Sequence, residues 1–198
     1  MSSSLLMSET NEPSYEDFLK HLPVLDAVCK ETLRVYPSIT KSTRVAVLDD
    51  IIPLRFPITS PKTGKTITSI EVRAGQIIEI NHMAINRSRS VWGPDAAEWK
   101  PERWLSSKGN RGSLPASSSV SHGWNGMTTF LEGPRMCIGM RLALFEHKVM
   151  VSELIKAFEF LPDAKVESLA SVTNFTTPHV VGGSREDGMQ LPLRVRCI

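Results

Sequence analysis

The stretch Phe130-Leu131-Glu132-Gly133-Pro134-Arg135-Met136-Cys137-Ile138-Gly139 limits what this chain can become more than any other, because it sets a cysteine between two glycines just ahead of a helix. Apolar residues return at helical spacing directly after it, at Leu142, Phe145, Val149, Leu154 and Phe158, and Pro162 bounds that run. A thiol at the start of a helix sits among backbone N–H groups with no intrahelical partner and at the positive end of the macrodipole, and both favour the thiolate. A thiolate is a metal ligand. Gly133 and Gly139 stand where a missing side chain lets the backbone turn sharply or come close to a flat object, and Arg135 adds a cation suited to a bidentate contact with a carboxylate. A flat macrocycle with two propionates would meet both. Taken alone, a cysteine ahead of a helix is more often a small buried hydrophobe.

The remainder of the chain reads as α+β. Met1 to about Pro13 is polar, serine-rich and without periodicity, a loose tail ahead of a domain spanning residues 14–198. From Tyr15, the residues Phe18, Leu22, Leu25, Cys29, Leu33 and Tyr36 recur three and four apart, which predicts one buried helix face ended by Pro37. Between Arg44 and Ile85 the β-branched runs Val45-Ala46-Val47 and Gln76-Ile77-Ile78-Glu79-Ile80 predict strands, with turns at 57–65 and at Ala74-Gly75. Ser88 to Phe130 lacks periodicity but holds Trp92, Trp99 and Trp104, so it is expected to be packed, with a Gly/Ser-rich surface loop at 106–121. The tail from Ala164 is strand and loop.

Charge and cysteine usage remove several classes of function. A formal net charge of +2 on scattered basic residues offers no track for a nucleic-acid backbone. Leu5, Leu6 and Met7 form too short an apolar patch for a signal peptide or an anchor. Cys29, Cys137 and Cys197 are too few and too far apart for a disulfide framework or a paired-thiol zinc site, and they point to a reducing, intracellular compartment. His21, His82, His122, His147 and His179 show no ligand spacing, so no second metal is expected. The sequons at Asn86 and Asn174 carry no weight without secretion.

The ten-residue stretch resembles the haem-binding loop of the cytochromes P-450, in which Phe, Gly, Arg, Cys and Gly recur at the intervals of Phe130, Gly133, Arg135, Cys137 and Gly139. Glu31 and Arg34, at i and i+3 on one helix, are by themselves an ordinary solvated pair. In that family such a pair is completed by the Arg of a Pro-Glu-Arg segment, here Arg103. Trp92-Gly93-Pro94-Asp95, Ala143 and Glu146 also look like family features, so the resemblance runs from about Tyr15 to the end.

This resemblance implies the C-terminal part of a mostly helical fold: Glu-x-x-Arg helix, small β-sheet, meander loop, cysteine-ligand loop and the helix after it. It implies haem b with Cys137 as axial ligand to iron, Arg135 and Arg44 toward the propionates, and a structural network of Glu31, Arg34 and Arg103. Segments Ser38 to Thr43 and Phe175 to Val181 would border the pocket of a small apolar substrate, with Lys41 unusual company there. The family's oxygen-activating central helix and N-terminal membrane anchor find no counterpart in the chain, although the parent enzyme would be anchored at the endoplasmic reticulum. The implied activity is a monooxygenase supplied with electrons by an NADPH-dependent reductase. A noncatalytic haem-binding or interaction module is the alternative. Lys108, Arg111, Arg141 and Lys148 could form a basic face for the reductase, or simply a solvated surface.

Overall fold

A computed structural model describes residues 13–105, 123–161, 168–170, 175–180, 182 and 188–198. The expected tail at 1–13 and loop at 106–121 therefore fall almost wholly outside the described residues. The chain divides into two compact units, one of residues 41–81 and one formed by the segments up to Thr40 and from His82 onward. Among the described residues no helix is long and apolar enough to cross a membrane.

The first helical run is two helices, not the single one its periodicity predicts. Helix α1, Tyr15–Lys20, opens on a reciprocal cap in which the Ser14 hydroxyl accepts from the Asp17 N–H at 3.3 Å and the Asp17 carboxylate accepts from the Ser14 N–H at 2.8 Å. Helix α2, Pro23–Val35, begins at a proline, which has no N–H to continue α1 but suits the first turn of a new helix. The apolar stripe nevertheless survives the break: Phe18, Leu22, Leu25 and Cys29 are buried together against Phe145 and Val149. The Phe18 and Phe145 rings meet edge to face at 5.8 Å. Tyr36 lies beyond α2 and is exposed.

Residues 41–81 form two antiparallel pairs. Strand β1, Lys41–Val45, pairs with β4, Ile77–Asn81, and β2, Asp50–Thr59, pairs with β3, Thr66–Val72. The β2–β3 register slips between Pro53 and Ile58, a segment that also holds Pro57, where prolines cannot donate to the ladder. Strand β2 thus extends into the expected turn as far as Thr59, leaving the turn at 60–65, and β1 ends before Val47. Lys41 is tied to Glu79 by an ion pair at 2.8 Å.

In the other unit, α3, His82–Asn86, and α4, Arg89–Trp92, lead to a 3-10 turn at Pro101–Trp104. The tryptophan-rich segment is packed in part: Trp92, Ala96 and Met127 form a core with Val91, Trp104 and Trp124 around it, whereas Trp99 is exposed, its indole N–H donating to Thr32 Oγ1 at 3.1 Å. Helix α5, Met140–Ala157, hands over to β5, Phe158–Leu161, so Phe158 belongs to a strand and not to the helix. Pairing of β5 with β8, Arg194–Cys197, overrides the helical spacing there, and β6, Ser168–Ala170, pairs with β7, Pro178–Val180.

Candidate functional site

The loop ahead of α5 is held by its own backbone. Leu131 N–H donates to the Thr128 carbonyl at 3.0 Å, and Leu131 and Gly133 both take left-handed φ angles, +60° and +68°. A 3-10 turn follows at Gly133–Arg135, and the Met136 N–H donates back to the Gly133 carbonyl at 3.0 Å. Cys137 N–H then closes the loop on the Phe130 carbonyl at 2.8 Å. Phe130 is buried, its ring edge-on to Trp124 at 5.4 Å. Gly139 is the N-cap of α5, so Cys137 stands two residues ahead of the cap and not inside the first turn.

This folding leaves the Cys137 thiol exposed, beside exposed Met136, Ile138 and Arg135. A Cβ on Gly139 would lie 3.9 Å from the cysteine sulfur, in van der Waals contact with it. Among the described residues no three His, Cys, Asp or Glu side chains are gathered as a metal site. A protein-ligated zinc needs three or four such donors, whereas haem brings four of its own and asks the protein for one axial ligand. One soft donor on a braced loop, with apolar neighbours and a guanidinium near it in sequence, fits haem.

The same unit holds a fully buried carboxylate. Glu31 accepts five hydrogen bonds: from Arg34 Nε at 2.9 Å and Nη2 at 2.8 Å, Arg103 Nε at 2.9 Å, Trp104 Nε1 at 3.0 Å and the Lys100 N–H at 2.8 Å. Burial alone would raise its pKa, but these donors outweigh that and hold it below the ordinary carboxylate range. Arg34, also without exposed surface, spends its other N–H groups on the carbonyls of Asn86 at 2.9 Å, Ala96 at 2.5 Å and Glu98 at 2.9 Å, and stacks on Trp92. The structure thus joins Glu31, Arg34 and Arg103, and adds Trp104, which sequence reasoning did not assign to the network.

It also buries Asn86, discounted above with its sequon. Asn86 has no exposed surface, and its Nδ2 donates to Thr129 Oγ1 at 2.8 Å while its Oδ1 accepts from the Thr128 N–H at 2.9 Å. Nothing in spacing announces such a residue, since its partners are more than 40 positions away. Lys148 is a correction: it is buried, donates to the Phe18 carbonyl at 2.9 Å and pairs with Asp26 at 2.7 Å, so it belongs to no basic face. Burial of its ammonium is tolerated because both partners come from elements packed on α5. Arg141 is exposed, and Lys108 and Arg111 lie outside the described residues. Arg44 sits in β1 opposite Ile78, its Nη1 donating to the Thr43 carbonyl at 2.8 Å. The two segments expected to border a pocket are paired: Ile39 bridges Phe175, and Thr176 N–H donates to the Ser38 carbonyl at 2.9 Å.

The loop and the Glu31 network gain a family from comparison with known proteins. A family model described as Cytochrome P-450 matches residues 4–180. The chain belongs to the cytochrome P-450 family. Among curated relatives it is 38% identical over 188 residues to cytochrome P-450 monooxygenase 205 of Postia placenta, covering 94% of this chain and 33% of that protein. It is equally 38% identical, over 193 residues, to cytochrome P-450 monooxygenase claO of Ampulloclitocybe clavipes, with 94% and 34% covered. The cytochrome P-450DA heme domain superposes with a TM-score of 0.67 at 22% identity, over 96% of this chain and 34% of that one, a likeness of fold. The P-450 fold is therefore present as its C-terminal part, and the chain spans about a third of the length of the relatives it matches.

Proposed function

We propose that this chain holds haem b through Cys137 and furnishes the thiolate side of a monooxygenase that inserts one oxygen atom from dioxygen into an apolar organic substrate. The observation that carries this is the exposed Cys137 sulfur at the end of a loop closed by the Phe130 carbonyl, since a ligand must be both accessible and pre-positioned. When bound, haem supplies the iron at which dioxygen is activated, and a thiolate ligand donates the electron density that favours O–O cleavage.

The chain's own residues have distinct tasks in this reading. Phe130 and Gly133 shape the loop, Gly139 keeps the space beside the sulfur open, and Arg135 and Arg44 are the cations offered to the propionates. Glu31, Arg34 and Arg103 are structural. Exposed Ile39 and Phe175, on paired segments, offer apolar contact to the substrate. Electrons would come from an NADPH-dependent reductase, as an enzyme of this type requires.

The test is a carbon monoxide difference spectrum of the reduced, haem-loaded chain. A thiolate-type Soret band that is lost in Cys137→Ala supports the reading. Haem uptake that is indifferent to Cys137→Ala removes the ligand assignment.

A further inference from the structure

We propose that Asn86 is a positioning residue for the Cys137 sulfur, an inference that rests on the reading of Cys137 as the haem ligand. Asn86 ends α3, and one side chain there joins three parts of the unit. Its Nδ2 donates to Thr129 Oγ1 at 2.8 Å, and its Oδ1 accepts from both the N–H and the hydroxyl of Thr128, at 2.9 and 3.3 Å. The Thr129 hydroxyl in turn donates to the Leu33 carbonyl at 2.9 Å, on α2. On its other side, the Asn86 carbonyl accepts from Arg34 Nη1 at 2.9 Å.

Thr128 and Thr129 immediately precede Phe130, whose carbonyl receives the Cys137 N–H, and the Thr128 carbonyl receives the Leu131 N–H. Hydrogen bonds therefore run from Glu31 through Arg34 and Asn86 to Thr128, whose carbonyl holds the Leu131 N–H, and the Cys137–Phe130 bond that closes the cysteine loop begins two residues along the chain. Helix α5 fixes the far end of that loop, and Asn86 fixes the near end. The amide suits the position because it offers a donor and an acceptor on one planar group, which no hydroxyl or carboxylate does in this arrangement. An amide buried this deeply that lost its partners would leave the Thr128 N–H unsatisfied as well.

The experiment uses the full chain carrying Cys197→Ser, so that among the described cysteines only Cys137 is exposed. Hydrogen exchange at the Leu131 and Cys137 amides is measured first without haem, and the reduced carbon monoxide spectrum is then recorded with it. Asn86→Ala is expected to speed loop exchange about tenfold relative to the amides of α5, the effect of losing buried hydrogen bonds at a locally opening segment, and to lower the thiolate-type share of the spectrum. Thr129→Val should act in the same direction more weakly. Phe18→Leu, in the separate cluster against α5, should lower the unfolding temperature and leave loop exchange alone.

Loop exchange no faster in Asn86→Ala than in Phe18→Leu would overturn the proposal. Should Asn86→Ala fail to fold, unchanged loop exchange in Thr129→Val overturns it instead. A parent chain whose spectrum lacks the thiolate band, with loop exchange still accelerated in Asn86→Ala, would sink the ligand reading alone and leave the bracing of the loop standing.

Discussion

Glu31 shows how a weak sequence signal becomes a strong structural one. On a solvated helix face a Glu/Arg pair contributes about 0.3–0.5 kcal/mol. With no exposed surface and five donors, the same carboxylate is, among the described residues, the only counter-charge beside the Arg34 guanidinium and the main one for Arg103, whose second acidic neighbour, Asp95, lies 3.7 Å away. Removing one partner of a buried pair typically costs about 3–5 kcal/mol because the charge left behind cannot return to water. Glu31→Gln is therefore expected to lose about that much in urea or thermal unfolding, a large share of the stability of an ordinary domain. A loss below about 1 kcal/mol would mean that the guanidiniums find other acceptors.

At the scale of elements, the decisive piece is the turn between Phe130 and Gly139. Gly133 has φ +68° with open space where a Cβ would stand, so a side chain there meets no clash and only the backbone conformation resists it. Gly133→Ala should accordingly destabilise by about 1–2 kcal/mol, the left-handed penalty for an L-residue. Circular dichroism melting reads this directly, and a neutral result would show that the turn relaxes to another conformation. Leu131 already bears such a φ without being glycine, at +60°, which the bonds of Thr128 and Cys137 on either side hold in place.

For the whole molecule, three titrations, of buried Glu31 and part-buried Asp26 and His147, share one sign. Burial lowers the pKa of His147 from its ordinary 6.5, so the unfolded chain takes up that proton first and stability falls as pH drops below about 6.5. Glu31 and Asp26 are also lowered: in each, burial acts upward but hydrogen bonds from Arg34, or from Lys148 and Lys30, prevail. Their contribution is present above the ordinary values of 4.5 and 3.8 and is lost as pH falls through the lower folded values. Unfolding free energy should thus fall in two stages toward acid, and His147→Gln should flatten the first stage only. An unchanged first stage in that variant would assign it to other groups. Much of this molecule was legible in order: the stripe along α1 and α2, the strands after Arg44 and the packing of Trp92 and Trp104 follow from periodicity and residue chemistry, which act over a few neighbours, whereas Leu142, Leu154 and Trp99 are exposed and the five spaced positions around Cys137 came from family resemblance. The break at Pro23 was legible too, and the continuing stripe obscured it. What local pattern could not supply were the long-range choices: Phe158 drawn into a strand by β8, Lys148 buried by Asp26 and the Phe18 carbonyl, and Asn86 seated among threonines more than 40 positions away. The sequence by itself determined which residues could ligate, pair and pack, because those are properties of side chains and spacing. Tertiary structure alone decided which polar groups lose water, because that depends on what the fold lays over them.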